Sequence, residues 1–214
     1  MRRAFVIGIV GAESSGKTQL AQALQARLVA EDWPAAMVAE TLREFCDRHR
    51  RTPRIEEQAA IAVEQTRRIA DAAAGHAAVV ADTTALMTAV YSEIVFDDRG
   101  LYAMAEQAHR RCDLTLLTAL DLPWQADGLQ RDGAHVREPV DALIRSALQR
   151  MAQPFAVVAG SGDARLRSAW RAVRFALHLA HAEADVGAAW QRRCERCGEA
   201  ACERHLPPAW LPRA

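Results

Sequence analysis

The sequence predicts an α/β protein with three layers, in which a parallel, doubly wound β-sheet lies between layers of helices. Three observations lead to this fold class. Short apolar runs of strand length alternate with longer segments whose apolar residues recur at helical spacing. The first apolar run leads into a phosphate-loop motif and then into a helical segment, which is the order expected in such folds. The chain has 214 residues, of which 50% are hydrophobic, enough to fill the core of one domain of this kind.

The strands are predicted from apolar, β-branched runs of four to eight residues. The first such run covers residues 4–10, and the others cover residues 35–40, 77–82, 113–120 and 155–159. Because each run is followed by a helical segment, we expect the strands to pair in parallel.

The helices between the strands are predicted from apolar residues spaced three and four apart. The first helix follows the phosphate loop and carries Leu20, Ala21, Leu24 and Leu28. The second has a predicted apolar face of Ile55, Ala59, Ala62, Thr66 and Ile69, and the last carries Leu166, Trp170, Val173 and Leu177. Further helices are predicted at residues 85–95, 101–110 and 139–151. Residues 125–137 are polar and contain two glycines, which predicts a mobile loop.

The only lysine of the chain, Lys17, stands inside a phosphate-loop motif. The motif G-x-x-x-x-G-K-[ST] is formed by Gly11, Ala12, Glu13, Ser14, Ser15, Gly16, Lys17 and Thr18. A compact ammonium fits between the β- and γ-phosphates, whereas a planar guanidinium does not enter so tight a cradle. The motif predicts binding of a nucleoside triphosphate, with the Thr18 hydroxyl on Mg²⁺.

The composition limits which binding partners and which cellular compartment we expect for the protein. Lys and Arg together balance Asp and Glu at 27 each, so the zero net charge gives no reason to expect nucleic acid or an anionic membrane as a partner. No apolar run is long enough to span a membrane. The apolar stretch after Arg3 runs into the phosphate loop, so we expect no cleaved leader and a cytoplasmic protein. Disulfides are then not expected, and Cys46 and Cys112 are predicted to be buried thiols.

Three acids stand at the carboxyl ends of predicted strands, where ligands bind in parallel sheets: Glu40, Asp82 and Asp121. Asp82 follows a buried strand, as a Walker B acid that holds Mg²⁺ does, although it is also placed to cap the next helix. Glu40 and Arg43 are three residues apart, so they could hold a polar substrate or form an ordinary helical surface pair.

Two arginines, Arg131 and Arg137, lie in or beside the polar loop. Phosphoryl transfer uses mobile cations that stabilise the developing charge, and lid arginines supply them. Solvated surface charge is the alternative, because arginine is frequent throughout this chain.

A cysteine-rich tail follows the last predicted helix. We predict that residues 1–185 form the main domain and that residues 186–214 form the tail. Cys194, Cys197, Cys202 and His205 have the spacing C-x2-C-x4-C-x2-H. Three thiolates and one imidazole make a closed tetrahedral Zn²⁺ set, which would be structural because it leaves no open coordination position. The alternative is a tail whose thiols are incidental.

Five segments in this order resemble the ribosylnicotinamide kinase domain of NadR-type proteins and the AAA-like ATPases grouped with it. They are residues 11–18, 40–45, 82–84, 124–129 and 137–139, and the resemblance extends from residue 4 to about residue 180. The glutamate inside the phosphate loop and the Trp-x-x-Asp-Gly-Leu segment are its specific parts. The family often has an acid where this chain has Thr84, and an arginine one position before Arg131.

The resemblance implies a P-loop, kinase-like fold that transfers a phosphoryl group from ATP to the 5′-hydroxyl of a nucleoside, with nicotinamide riboside as the first candidate. It implies that Asp82 lies near the metal and the attacking hydroxyl, and that Glu40 and Arg43 line the acceptor site. Trp124 and Asp127 would help to hold the nucleoside, and Arg131 would be a lid arginine. A regulatory ATPase that signals through its tail is the alternative, favoured by Thr84 and by the cysteine cluster.

Overall fold

The computed structural model describes the backbone of residues 3–125 and 134–190, and the side chains of residues 3–125 and 135–178. Contacts divide the chain into two compact units, Met1–Val173 and Arg174–Ala214. The first unit holds the sheet, and the described part of the second, residues 174–190, is helical. The division of the chain at residue 185 remains a prediction.

The elements follow the predicted alternation of strands and helices. In chain order they are β1 (Phe5–Val10), α1 (Lys17–Ala30), β2 (Ala35–Val38), α2 (Thr41–His49), α3 (Ile55–Gly75), β3 (Ala78–Asp82), α4 (Ala85–Phe96), α5 (Tyr102–His109), β4 (Leu114–Thr118), a 3₁₀ turn (Ala134–Val136), α6 (Arg137–Arg150), β5 (Phe155–Val158) and α7 (Gly162–Trp190).

The five strands form one parallel sheet in the order β2-β3-β1-β4-β5. From β1 the chain crosses to β2 on one side, and it later crosses back over β1 from β3 to β4. Right-handed crossovers in opposite directions place their helices on opposite faces of a sheet. The sheet therefore has α1 on one face and α3, α4 and α6 on the other, which confirms the three-layer, doubly wound fold.

Two clusters of buried side chains fill the face covered by α3, α4 and α6. Val10 and Leu117 of the sheet pack against Leu86 and Met87 of α4 and Ile144 of α6. Further towards β2, the second cluster joins Val6, Val38, Val79 and Cys112, with Ile69 of α3 packed against it. Burial of these apolar surfaces fixes where each helix crosses the sheet, and so fixes the strand ends that form the site.

Most predicted elements lie where the sequence places them, and the four apolar residues predicted for α1 are all buried. Cys46 and Cys112 are buried thiols that form no disulfide with each other, as predicted. Within the described residues, no helix is long and apolar enough to cross a membrane.

Several structural predictions were wrong in detail. Strand β4 ends at Thr118 rather than at residue 120, and α6 begins at Arg137, inside the predicted polar loop. Strand β2 ends at Val38 rather than at residue 40, because its pairing with β3 ends there and the chain turns into α2. The predicted face of α3 is rotated as well: Ile55 is 47% exposed and Ala59 is exposed. The buried residues of α3 are Gln58, Ile61, Ala62 and Gln65. Ala62 is buried and Ile69 packs against the second cluster, so the prediction was right in part; the buried positions that it missed include Gln58 and Gln65, which apolar periodicity does not select.

Candidate nucleotide and acceptor site

The loop between β1 and α1 has the geometry of an anion cradle. Gly16 caps α1 in the left-handed conformation, at φ 77°, and has no side chain that could cap the amide groups at the start of the helix. Gly11 has φ 153°, and a Cβ there would lie 1.9 Å from Thr118 Oγ1, so only glycine fits. Exposed backbone N–H groups and the positive end of a helix favour phosphate at this position.

Buried hydroxyl groups hold the loop between β1 and α1 in place through hydrogen bonds. Ser15 Oγ donates to the Ala12 carbonyl at 2.6 Å and lies 2.7 Å from Thr118 Oγ1. Thr118 Oγ1 in turn donates to the Val10 carbonyl at 3.3 Å. These bonds join the loop to the ends of β1 and β4 and hold it in its shape.

Lys17 is buried at the first position of α1, and its Nζ donates to the Ala12 carbonyl at 2.9 Å. Burial lowers the pKa of Lys17, while the carboxylates of Glu40, Asp82 and Glu13 oppose that shift. Three carboxylates therefore act electrostatically on the one lysine of the chain. A phosphate group would add a strong acceptor for this ammonium.

Asp82 is the last residue of β3 and is 2% exposed. Its Oδ1 has no hydrogen-bond partner among the described residues. The next residue, Thr83, has φ 75°, a left-handed conformation that is strained for a β-branched side chain. Strain of this kind is characteristic of functional sites, and no sequence pattern indicated it.

The structure assigns the cap of α4 to Thr84, whose Oγ1 accepts from Leu86 N at 3.4 Å. Of the two roles that the sequence left open for Asp82, capping is therefore taken by another residue. Thr84 Oγ1 also lies 2.8 Å from Nδ1 of the buried His109, whose Nε2 lies 2.9 Å from Thr115 Oγ1. We call Thr84, His109 and Thr115 the core network. Position 84, where the family often has an acid, thus belongs to the core.

Glu40 precedes α2 and is 7% exposed, so it is not part of an ordinary surface pair. Its Oε2 lies 3.4 Å from Arg43 Nε. Burial raises the pKa of Glu40, and the carboxylate of Asp82 raises it further, whereas Lys17 and Arg43 lower it. The two acids thus influence each other, as groups at neighbouring strand ends do.

Gln58 and Gln65 were not predicted as part of the site. Gln65 Oε1 accepts from Thr41 N at 2.8 Å, and Gln65 Nε2 donates to the Thr83 carbonyl at 3.4 Å. Gln65 therefore joins the start of α2 to the end of β3. The available signal was their spacing of seven residues, which places both amides on one face of a helix.

The segment after β4 brings two more predicted residues close to the loop. Arg137 is buried: its Nη1 donates to the Leu122 carbonyl at 2.9 Å, and its Nε and Nη2 have no partner within the described residues. It is therefore not a solvated surface charge. Trp124 is half-buried. Ser14 Oγ donates to the Gln125 carbonyl at 2.7 Å, which joins this segment to the phosphate loop.

Several predicted residues lie elsewhere. Asp121, the third acid at a strand end, accepts from Arg165 Nη2 at 2.8 Å and from Gly160 N, so it joins the ends of β4 and β5. Asp127 and Arg131, and the four predicted zinc ligands Cys194, Cys197, Cys202 and His205, lie outside the described residues.

The residues present fit a magnesium nucleotide. Thr18 follows the lysine at the start of α1, and the buried Oδ1 of Asp82 lacks a partner among the described residues. Mg²⁺ is commonly held by one or two protein oxygens together with substrate phosphates and water. In the part of the chain that the structure describes, no group of three or more His, Cys, Asp or Glu side chains forms a complete protein-only metal site.

Comparison with solved structures supports the same fold. Two structures of NadR protein, one in complex with NR and one with NAD and AMP-PNP, match at TM-scores of 0.63 and 0.64, each with 20% identity and 79% of this chain covered. The matched region spans 50% and 48% of those two chains, about half their length. Thymidylate kinase from Ehrlichia chaffeensis matches at a TM-score of 0.56 and 12% identity, covering 81% of this chain and 99% of that one. At these identities the likeness shows the fold.

No curated protein matches the sequence. The model of the AAA domain family matches residues 6–165, about three quarters of the chain, from β1 to the start of α7. Together with the two NadR structures, this match supports the resemblance to a NadR-type P-loop, kinase-like domain. The chain belongs to the AAA domain family.

Proposed function

We propose that the protein is an ATP-dependent phosphotransferase that acts on the 5′-hydroxyl of a ribonucleoside, with nicotinamide riboside as the first candidate. One observation carries this proposal. Lys17, which closes the phosphate loop, lies within electrostatic reach of Glu40 and Asp82, the buried acids at the ends of β2 and β3. A cation for phosphate thus lies beside two carboxylates that can hold a hydroxyl group.

The mechanism we propose is in-line transfer. The amides at the start of α1 and the Lys17 ammonium hold the phosphates, and Thr18 and Asp82 would hold Mg²⁺, which neutralises developing charge when bound. Asp82 or Glu40 orients the hydroxyl and accepts its proton as the new O–P bond forms and the bond to ADP breaks. Positioning contributes more than basicity, because the transition state of phosphoryl transfer is loose.

The remaining predicted residues are assigned supporting roles. We propose that Arg43 holds Glu40 in place, and that Trp124 and Asp127 hold the nucleoside. Arg131 and Arg137 would supply positive charge on the donor side. For Arg137 this is supported by its burial and by guanidinium nitrogens that have no partner among the described residues.

The relatives of known structure give the acceptor its first candidate. NadR protein was crystallised with NR and with NAD and AMP-PNP, and the third match is a thymidylate kinase. Both point to nucleoside or nucleotide substrates. The choice of nicotinamide riboside depends on the five sequence segments shared with the NadR-type family.

The test is ATP consumption by the purified protein with a panel of nucleosides led by nicotinamide riboside, with products identified by mass. A phosphorylated nucleoside formed only when acceptor, ATP and Mg²⁺ are all present is the expected result. Slow hydrolysis of ATP that no nucleoside changes would instead favour a regulatory ATPase. The capping role of Thr84, at a position where the family often has an acid, is the observation that favours this second candidate.

We also propose that Cys194, Cys197, Cys202 and His205 hold a structural zinc ion. The spacing of these ligands carries this proposal. Protein purified without chelators is expected to contain about one zinc per chain. The variant Cys194→Ser with Cys197→Ser should contain none, and Cys46→Ser should keep the metal. Wild-type protein without zinc would contradict the proposal.

A further inference from the structure

Two acids of the site, Glu40 and Asp82, each come just before a helix, yet neither side chain caps that helix. Glu40 precedes α2 and makes no side-chain hydrogen bond to its amides. The cap of α4, which follows Asp82, is provided by Thr84. Acids before a helix ordinarily accept from its first amides. Since these two do not, their carboxylates remain available to a ligand, and the backbone that carries them sets their positions.

One buried side chain, Gln65 of α3, binds the backbone just after each acid. Its Oε1 accepts from the N–H of Thr41, which follows Glu40, at 2.8 Å. Its Nε2 donates to the carbonyl of Thr83, which follows Asp82, at 3.4 Å. Thr41 N–H can only donate and the Thr83 carbonyl can only accept, so both contacts require a side chain with one acceptor and one donor, as an amide has. A single amide thus joins the two segments that carry the acids.

Helix α3 gives this amide a rigid support. Ala62, one turn before Gln65, packs in a buried cluster with Ala85 and Ala89 of α4. Ile69, one turn after it, packs against the second cluster, on the sheet. Because apolar packing holds α3 on both sides of Gln65, which is itself 2% exposed, the amide is a fixed point to which both segments are attached.

The end of β3 needs such support because Thr83 is strained. Its φ of 75° is left-handed, which is unfavourable for a β-branched residue. A strained residue keeps its conformation only where the surrounding contacts determine it. The carbonyl that Gln65 binds belongs to this residue. Without that bond, the backbone could relax at Thr83 and displace the neighbouring carboxylate of Asp82.

We infer that Gln65 is a positioning residue for the transfer reaction, which sets the spacing of the Glu40 and Asp82 carboxylates by joining the start of α2 to the end of β3. This inference rests on the proposed function, since it assigns the two acids to the reaction. The bonds that hold the phosphate loop come instead from Ser15 and Thr118. Loss of Gln65 should therefore lower kcat and leave the KM for ATP nearly unchanged.

The first measurement is the steady-state phosphorylation of nicotinamide riboside by Gln65→Met, which keeps the length of the side chain and loses both hydrogen bonds. Small displacements of reacting groups are costly, so kcat should fall about 10- to 100-fold. The matched control is Gln25→Met on α1. Gln25 Nε2 donates to the carbonyl of Ala35, at the amino end of β2 and away from the acids, so kcat should not change.

A second variant, Thr41→Pro, removes one of the two hydrogen bonds from the other side. Thr41 is the first residue of α2, where proline is favoured because the N–H it lacks has no partner within the helix. Glu40 has φ −69° and ψ 111°, the extended kind of conformation that a residue before proline adopts. The variant should therefore fold, and its kcat should fall as in Gln65→Met.

The second measurement needs no substrate and follows the pKa of Glu40 by NMR of its carboxyl carbon. Burial raises this pKa and the charge of Asp82 raises it further, so Asp82→Asn should lower it. In the Gln65→Met background, Asp82→Asn should lower it less, because the interaction between two charges weakens with distance. Lys17 and Arg43, the other charged groups that act on Glu40, are present in all of these proteins. A residue that only stabilises the fold would leave this difference unchanged.

The outcomes separate this inference from the proposed function. A wild-type kcat in folded Gln65→Met protein overturns the inference, and so does an unchanged effect of Asp82→Asn on the pKa of Glu40. If Gln65→Met does not fold, the same two measurements on Thr41→Pro decide in the same way. A weakened effect of Asp82→Asn in a protein that phosphorylates no nucleoside overturns the proposed function and supports Gln65 as the residue that spaces the two acids.

Discussion

The core network and a second group of residues, Glu40, Thr41, Gln58 and Asp82, which we call the acceptor edge, are both buried and polar. They differ in how their hydrogen bonds are completed. In the core network, both ring nitrogens of His109 have a threonine hydroxyl within 2.9 Å. On the acceptor edge, Asp82, Thr41 and Gln58 each retain an oxygen without a partner among the described residues. Asp82 of the acceptor edge and Thr84 of the core network are separated only by Thr83, so the chain connects the two regions directly.

The difference separates groups that stabilise the fold from groups prepared for a ligand. A buried polar network with all its bonds made contributes to stability and to a unique core. Buried oxygens without donors oppose folding, and they are expected where a bound molecule completes them. Changes to the acceptor edge and the phosphate loop should therefore affect activity, and changes to the core network should affect stability.

The largest effect on activity is expected for Lys17→Ala. Removing the ammonium should lower the rate of ATP-dependent transfer by about 10²- to 10³-fold or more, because no buried cation then stabilises the charge that develops on the phosphates. The measurement is the initial rate of product formation, with thermal unfolding to verify the fold. Arg27→Ala, which removes an exposed cation paired with Glu31, is the control and should be fully active. Full activity of Lys17→Ala would contradict the assignment of the site.

A loss of similar kind is expected for Asp82→Asn. The variant keeps the shape of the side chain but loses its charge, so transfer should fall about 10²-fold. The free energy of unfolding should change little, because Oδ1 has no hydrogen bond to lose among the described residues and the side chain keeps its shape. Urea unfolding and initial rates, measured on one preparation, test both parts. A large loss of stability with normal activity would show that Asp82 stabilises the fold and does not serve the reaction, which would contradict the proposed difference between the two regions.

The core network should make the stability of the protein depend on pH. Burial lowers the pKa of His109 to about 4, from an ordinary value of about 6.5. Between these values the unfolded chain binds a proton that the folded chain does not. The free energy of unfolding should therefore decrease by about 3 kcal/mol as the pH falls from 7 to 4.

The measurement is urea unfolding of wild type and His109→Gln across this range. Glutamine can still bond to a threonine but does not titrate, so the variant should lack this part of the pH dependence. An equally steep dependence in both proteins would show that other groups cause it.

The smallest effect concerns the pH dependence of transfer. Because burial and Asp82 raise the pKa of Glu40, its carboxylate becomes protonated at a higher pH than an exposed glutamate does. If ionised Glu40 helps to orient the hydroxyl, the rate of transfer should fall on acidification from neutral pH, over the range of that raised pKa. The profile of kcat/KM against pH tests this, and Glu40→Gln should abolish the acidic limb. An unchanged limb in that variant would assign it to another group.

Part of the site could be predicted because its chemistry depends on residues close together in sequence. The phosphate loop, Lys17 and Thr18 are one continuous motif, and the start of α1 follows from it. Asp82 could be placed because an apolar strand ends there. Gln58 and Gln65 could not, since apolar periodicity assigns polar residues to the exposed face of a helix. Whether a glutamine is buried depends on partners from α2 and β3, which are distant in sequence.

The sequence by itself determined the alternation of strands and helices and the phosphate loop between β1 and α1. These are set by local periodicity and by the backbone freedom of Gly11 and Gly16. Only the tertiary structure decided that Thr84 caps α4 and binds His109, that Glu40 is buried beside Lys17, and that α3 turns its glutamines inward. Those outcomes depend on which strand ends become neighbours when the sheet forms, and on how buried hydrogen bonds are shared among residues far apart in the chain.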